Sequence, residues 1–158
     1  SIKKLVPDRR RPLRSFLRSL VMGETPKKLV ITELECRGLR SADLLSKNDV
    51  YVIFKVGDKE ARTAYLSGAG KNAKFDETIE MLVSDRDLEA GIDFYAYDYD
   101  VGPDPDDLLG VGKLVNLTQL KKFPDTPRQF DTGLMYKGKT RGSGTCLISL
   151  TYPPRGAG

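Results

Sequence analysis

The sequence predicts an all-β protein, an eight-stranded antiparallel β-sandwich with a short N-terminal amphipathic helix. Three observations carry this prediction. From Lys27 onward the chain runs as short β-like segments broken by turn residues. Helical periodicity is confined to the first 26 residues and to brief signals elsewhere. The length of 158 residues suits one ordinary domain, and 39% hydrophobic content supplies a core without approaching the ~18 consecutive apolar residues of a membrane span. Short strands at regular spacing with few helical signals are the pattern of a sandwich.

The first element is a basic arm, residues 1–26. It carries seven basic side chains (Lys3, Lys4, Arg9, Arg10, Arg11, Arg14 and Arg18) and two acidic ones (Asp8 and Glu24), a net of +5. The remaining 132 residues hold 19 basic and 20 acidic groups, a net of −1, so the overall +4 belongs to the arm. Leu13, Phe16, Leu17, Leu20 and Val21 recur at helical spacing and predict a helix over about 13–22. Pro12 suits a first helical position, and Gly23 and Pro26 end the helix. About ten residues are marginal as an isolated helix, so the apolar face needs support. That support is the body, a missing part of a parent protein, a partner's groove or an anionic membrane surface. The start at Ser1 reads as a piece of a longer protein.

The body spans 27–152, and a tail covers 153–158. Its predicted strands are 28–36, 50–56, 60–66, 75–83, 92–99, 111–115, 129–134 and 145–152. In the first, Leu29, Ile31 and Cys36 point inward. The second is rich in β-branched and aromatic residues, and Gly57-Asp58 turns it into the third. Ile79, Met81 and Val83 alternate with polar positions in the fourth. In the fifth, Ile92, Phe94, Ala96 and Asp98 share one face, and Tyr95, Tyr97 and Tyr99 form an aromatic stripe on the other, read as a packing surface. A helical turn is predicted over 117–123.

Composition excludes several chemistries. With no histidine, His-based acid–base catalysis and His-ligated metal sites are impossible. Two cysteines, Cys36 and Cys146, are too few for a zinc site and read as reduced core side chains. No nucleophile motif is present, so an enzyme is not expected. The arm's charge lacks interleaved aromatic residues, which argues against a nucleic-acid partner.

Aspartate, by contrast, is concentrated in two inter-strand loops. One holds Asp43, Asn48 and Asp49, and the other holds Asp98, Asp100, Asp104, Asp106 and Asp107. Calcium takes six to eight oxygen ligands, largely carboxylate, on loops that wrap the ion. Two carboxylates ~5 Å apart at an effective dielectric of ~20 repel by roughly 3 kcal/mol. If the two loops meet, a cation is needed to neutralise them.

These segments resemble the C2 domain family, a calcium- and phospholipid-binding module, over about residues 27–152. Leu29-x-Ile31, Cys36-x-x-Leu39, Asp43 and Asn48-Asp49-Val50-Tyr51-Val52 are similar to its opening, with Val50 where the family commonly has proline. Asn72-Ala73-Lys74-Phe75-Asp76-Glu77 is similar to its Asn-Pro-x-Trp-Asn-Glu segment, without the proline and tryptophan. Tyr97-Asp98-Tyr99-Asp100 and Asp107-Leu108-Leu109-Gly110 resemble its third loop and closing Asp-x-x-Gly. The resemblance implies that loops one and three converge at one end of an eight-stranded sandwich and that Asp43, Asp49, Asp98 and Asp100 ligate calcium, two or more ions in all. The fifth ligand is Asp106 counted forward from Asp98, or Asp107 counted back from Gly110, and Asp104 is a peripheral candidate. The strand at 144–152 comes last rather than first, which resembles the circularly permuted, type II arrangement. Glu33 stands where the family prefers an inward valine, and a bulge would turn it outward.

The implied function is calcium-dependent binding to anionic phospholipid membranes. A larger parent protein is thereby recruited for targeting, trafficking, fusion or signalling, from the cytoplasm to a peripheral membrane position. Two calcium ions would carry the body from −1 to +3. Leu44, Leu45 and Val101 are candidates for insertion at the bilayer interface, and Lys47 and Lys71 for meeting headgroups. Lys55, Lys59 and Arg62 are a weaker basic patch, diluted by Asp58 and Glu60. Asp85 and Asp87, expected at the opposite end, read as solvated charges. The alternative function is a calcium-independent module that binds a protein partner or lipid constitutively.

Overall fold

The computed structural model describes residues 27–154; the predicted arm with its helix, and the tail from residue 155, lie outside the described residues. Nine strands form: β1 (Lys27–Arg37), β2 (Val50–Val56), β3 (Lys59–Arg62), β4 (Ala73–Lys74), β5 (Ile79–Val83), β6 (Ile92–Asp98), β7 (Asp107–Leu114), β8 (Arg128–Tyr136) and β9 (Lys139–Thr151). A six-residue helix, α1 (Asp85–Ala90), and a 3-10 helix (Leu117–Lys122) complete the elements. Every strand pairing is antiparallel. The sheet runs in the order β3-β2-β6-β7-β8-β9-β1-β4, and β5 also pairs with β1.

Alternation along the strands explains why this sheet curls into two layers. On β6, Ile92, Phe94, Ala96 and Asp98 are buried while Asp93, Tyr95 and Tyr97 are only partly so. On β9, Cys146, Ile148 and Leu150 are buried in the same rhythm. The two inner faces meet so closely that a Cβ on Gly144 of β9 would lie 2.5 Å from Cζ of Phe94 on β6. Only a glycine lets that ring cross the core there. Phe94 in turn meets Phe54 of β2 edge to face, with centroids 5.3 Å apart, an arrangement worth about 1 kcal/mol beyond its buried area. Cys36 and Cys146 are buried and unbridged, and burial raises both thiols to about 12.

The ninth strand arises from a bulge. The register between β1 and β9 shifts between Thr32 and Glu35. Glu33 adopts φ 49° and is exposed, while the next residue, Leu34, is buried. The outward turn of Glu33 is the one expected for a bulge. The same bulge divides the other edge of β1. Residues 27–31 pair with β5, and Glu35 and Cys36 pair with the two-residue β4. The strand expected over 75–83 is shortened to β5, and β4 is an additional two-residue strand that precedes it.

The end of the sandwich built by α1 and the 3-10 helix corrects two expectations. Asp85 and Asp87 are not merely solvated charges. The segment Ser84-Asp85-Arg86-Asp87 makes a capping box: the Asp87 N–H donates to Ser84 Oγ at 3.1 Å, and the Ser84 N–H donates to Asp87 Oδ2 at 2.9 Å. Asp87 is 8% exposed and is ion-paired with the Lys59 ammonium. Asp85 lies 3.1 Å from Lys27 Nζ and 2.5 Å from Lys121 Nζ. The hydrogen bond from Lys121 is the largest influence holding its carboxyl below the usual range. Lys59 is consequently withdrawn into this end of the domain and does not belong to an exposed basic patch.

Candidate metal and membrane site

Three loops gather at the opposite end: loop one between β1 and β2, loop two between β3 and β4, and loop three between β6 and β7. Strand register places them. Val50 pairs with Asp98, and Asp98 pairs with Asp107, so the start of β2, the end of β6 and the start of β7 lie side by side. Loop one arches over them.

Buried Asn48, 2% exposed, ties loop one to loop two. Its Oδ1 accepts the Ala42 N–H at 3.1 Å, and its Nδ2 donates to the carbonyls of Arg40 at 2.7 Å and Gly70 at 2.9 Å. Its own carbonyl accepts the Gly70 N–H at 3.0 Å. The Gly38 and Leu39 amides add bonds to Asn72 Oδ1 and to the Lys71 carbonyl. The oxygen and the nitrogen of this buried amide are both used, which is how a polar group is retained inside. Asn48 is visible in the sequence beside Asp49, but its bridging role is not legible there.

Within this frame the carboxylates converge. One oxygen each from Asp43, Asp98 and Asp100 lies within 4.8 Å of the others. Asp98, 3% exposed, accepts the Asp49 N–H on Oδ1 at 2.7 Å. Burial raises its carboxyl, and the charges of Asp100, Asp49 and Asp107 add to the rise, while the Asp49 N–H opposes them. Asp100 is also raised, by burial first, then by the hydrogen-bonded Asp107, and by Asp43 and Asp106. Asp49 flanks the group, its Oδ1 accepting the Gly68 N–H at 2.7 Å. Among the described residues, none of these carboxylates forms an ion pair.

Asp106 and Asp107 face different partners. Asp106 uses both oxygens inside the protein: Oδ1 accepts the Asp100 N–H at 2.9 Å and Oδ2 accepts the Tyr51 hydroxyl. Asp107 instead hydrogen-bonds the Asp100 carboxyl and adds its charge to those of Asp98 and Asp100. Tyr51 is a member of the site that sequence reasoning missed. It is 4% exposed, stacked on Tyr97 at 5.4 Å between centroids, with the Arg62 guanidinium 4.6 Å from its ring. Burial is the main cause that pushes its phenol upward, ahead of the Asp106 hydrogen bond.

The aromatic stripe is a packing surface for its neighbours in the same sheet. Tyr95 stacks on Tyr97, and Tyr99 stacks on Tyr65 at 4.4 Å. Lys55 Nζ sits 5.0 Å from the Tyr95 ring and 3.8 Å from Glu60. The cations Lys55 and Arg62 thus have local partners, and Lys59 is turned away from them, so the patch that the sequence offered only weakly is not assembled.

The apolar tips are fully presented. Leu44 and Leu45 are 102% and 100% exposed on loop one, and Val101 is 87% exposed on loop three. Lys47 and Lys71 are exposed beside them on loops one and two. Among the described residues, no helix is long and apolar enough to cross a membrane.

The chain is thus a curled antiparallel β-sandwich with a cluster of carboxylates at its loop end. The C2 domain family model matches residues 27–126, and the chain belongs to the C2 domain family. Members of this family generally mediate binding to membranes, lipids or proteins. The fold is similar to that of C2 domain A of plant Extended Synaptotagmin 1, with a TM-score of 0.67 at 20% identity, covering 83% of this chain and 98% of that one. It is also similar to a structure described as a C2 domain, with a TM-score of 0.58 at 23% identity, covering 79% and 98%. A third similar structure is the calcium-bound pair of C2 domains, A and B, of Extended-Synaptotagmin 2, with a TM-score of 0.56 at 23% identity, covering 79% of this chain and 45% of that one. A search of curated protein sequences returns no match.

Proposed function

We propose that this domain binds calcium at the loop end and, when loaded, attaches peripherally to anionic phospholipid membranes, carrying a parent protein with it. The observation that carries this reading is the meeting of Asp43, Asp98 and Asp100 within 4.8 Å beside two fully exposed leucines. The donor set fits calcium: it is all oxygen, it lies on loops, and its members raise one another's proton affinity. We assign Asp43, Asp49, Asp98, Asp100 and Asp107 as ligands for two or more ions. Asp106, whose oxygens serve Asp100 and Tyr51, braces loop three.

Bound calcium supplies positive charge and coordination positions for lipid phosphate oxygens. The protein does the rest. Asn48 and the Asp49 N–H hold the carboxylates in place before the ion arrives. Leu44, Leu45 and Val101 offer apolar surface to the interfacial layer of the bilayer, and Lys47 and Lys71 offer cationic tips to its headgroups. The sheet order, with β9 joining β8 to β1 from the chain's last strand, is read as the circularly permuted arrangement.

The test is sedimentation with phosphatidylserine vesicles. Binding in calcium and release by a chelator is the expected result. Equal binding with and without calcium overturns the reading and favours a calcium-independent module.

A further inference from the structure

The two outer faces of the sandwich differ in charge and in what can reach them. On the face formed by β5, β1 and β9, Leu82, Val30 and Leu147 make a diagonal apolar stripe. Register places them there. Leu82 stands opposite Lys28, Val30 opposite Ser149, and Leu147 opposite Thr32, so all three point outward while their neighbours Met81, Ile31 and Ile148 fill the core. Leu82 is 41% exposed, and the other two are half-buried. The stripe rises four residues along the strands and crosses two strand spacings, about 16 Å in all. Four acids surround it. Glu80 is opposite Val30, exposed Glu33 follows Thr32, and Asp125 and Asp131 accept the Thr151 and Thr145 hydroxyls. Lys28 pairs with Glu80, which leaves these five charges at −3. Among the described residues, Glu33, Asp125 and Asp131 form no ion pair.

The chain itself supplies an occupant of matching length and opposite charge. Residues 1–26 carry a net of +5, and Leu13, Phe16, Leu17, Leu20 and Val21 predict one apolar helix face over 13–22. Ten helical residues are about 15 Å long, close to the length of the stripe. The arm joins the described chain at Lys27, one residue before the stripe's first row, and the four residues 23–26 reach at most about 14 Å. The other outer face, with Tyr95 and Tyr97, belongs to a second layer about 10 Å beyond that of β1. There Lys55, Arg62 and Lys113 outnumber Glu60 and Asp93, a poor match for a basic arm. We infer that the arm folds back over β1 and lays its apolar face on the Leu82–Val30–Leu147 stripe, with its arginines against the acidic rim. Docked there, it has the support that so short a helix needs. Its basic and apolar groups are then engaged within the chain rather than on a membrane, and the inference does not rest on the membrane reading.

The experiment uses the full chain with a nitroxide attached through Ser19→Cys. Cys36 and Cys146 are buried, with thiols raised to about 12, so the introduced thiol is the one that reacts. In chelator and without vesicles, the label is expected to broaden the amide resonances of Val30, Leu82 and Ser149 and to spare those of Tyr95 and Tyr97. Leu82→Glu removes that preference, and amide hydrogen exchange at Phe16, Leu17 and Leu20 becomes about tenfold faster, the equivalent of losing partial burial of one leucine. Asp125→Lys/Asp131→Lys speeds the exchange about threefold, as the loss of surface charge attraction predicts. Glu60→Lys/Asp93→Lys, the same charge change on the other outer face, leaves it unaltered. Asp125 and Asp131 are exposed, so this comparison decides the matter even if Leu82→Glu fails to fold. Uniform broadening, or broadening at Tyr95 and Tyr97 instead, overturns the inference. So does broadening in a mixture of spin-labelled chains with isotope-labelled ones, which assigns the stripe to a second copy. Arm amides that gain protection only when phosphatidylserine vesicles are added also overturn it and give the arm to the membrane.

Discussion

The two ends of the sandwich use the same residue in opposite ways. At the α1 end, Asp87 and Asp85 meet Lys59, Lys27 and Lys121, and a capping box adds the Ser84 N–H to Asp87 Oδ2. At the loop end, Asp43, Asp98, Asp100 and Asp107 meet one another. One end is balanced within the chain and contributes to folding. The other is left in charge imbalance, and that imbalance is the basis of the proposed cation site. An acidic loop is therefore informative only when the company of its carboxylates is known.

The largest expected effect is on the imbalanced end. Asp98→Asn with Asp100→Asn lowers calcium affinity by roughly 100-fold or more, because two charged oxygen ligands are lost, and abolishes calcium-dependent vesicle binding. Calorimetric titration checks it. The same variant melts at a higher temperature than the wild type in chelator, since the repulsion is gone. A fall in melting temperature would erase the contrast between the ends.

Lys59→Ala acts on the balanced end. It leaves Asp87 buried without its cation and lowers unfolding stability by about 3 kcal/mol, measured in urea, while calcium affinity of the folded domain stays the same. Next in size, Leu45→Ser weakens binding to phosphatidylserine vesicles about tenfold, the equivalent of removing partial burial of one leucine. It leaves calcium affinity in solution unaltered. Tyr51→Phe removes the hydroxyl from Asp106 and loosens loop three, and calcium affinity falls about threefold, near the worth of one modest hydrogen bond. Asp106→Asn, whose Oδ1 still accepts the Asp100 N–H while its Nδ2 donates to the Tyr51 hydroxyl oxygen, falls less than Tyr51→Phe; the reverse order would make Asp106 a ligand rather than a brace.

The smallest effect is in the pH dependence, where the ends slope in opposite directions. Asp85 has a lowered carboxyl, so its stabilisation is present above the unfolded value of about 3.9 and is lost as pH falls through the lower folded value. Asp98 and Asp100 are raised, so the calcium-free protein binds more protons folded than unfolded just above pH ~4. Their contribution falls as pH rises through that window. Melting temperatures of Asp85→Asn and of the Asp98/Asp100 double variant, taken from below pH ~4 to above it, separate the two slopes.

Most of the sandwich was legible because burial alternates with period two in β5, β6 and β9. The bulge at Glu33 was suggested by the family resemblance, because an acid stands there where the family prefers an inward valine. The two-residue β4 was not, because it follows from pairing with a distant strand. The helix α1 was missed although Ser84-x-x-Asp87 is a cap signature; six residues are too few for periodicity to register. The convergence of Asp43, Asp98 and Asp100 followed from family resemblance. The proposed preference for Asp107 over Asp106 as a ligand rests on the Tyr51 hydroxyl, which no local pattern reveals. Lys59 read as a surface lysine for the same reason, its partner lying 28 residues away.

The amide of Asn48 has a consequence for timing and signal. It is neutral at every physiological pH and bonds only to the backbone, so neither protons nor ions displace it. The spacing of loops one and two is therefore fixed before any ligand arrives, and little ordering entropy is left to lose on binding. Calcium bound as proposed would change the field at the loop end, which acts over a Debye length of about 8 Å at physiological ionic strength. Capture by a vesicle should then proceed by electrostatic steering, its association rate falling steeply with added salt, while the backbone of loops one and two stays where it was.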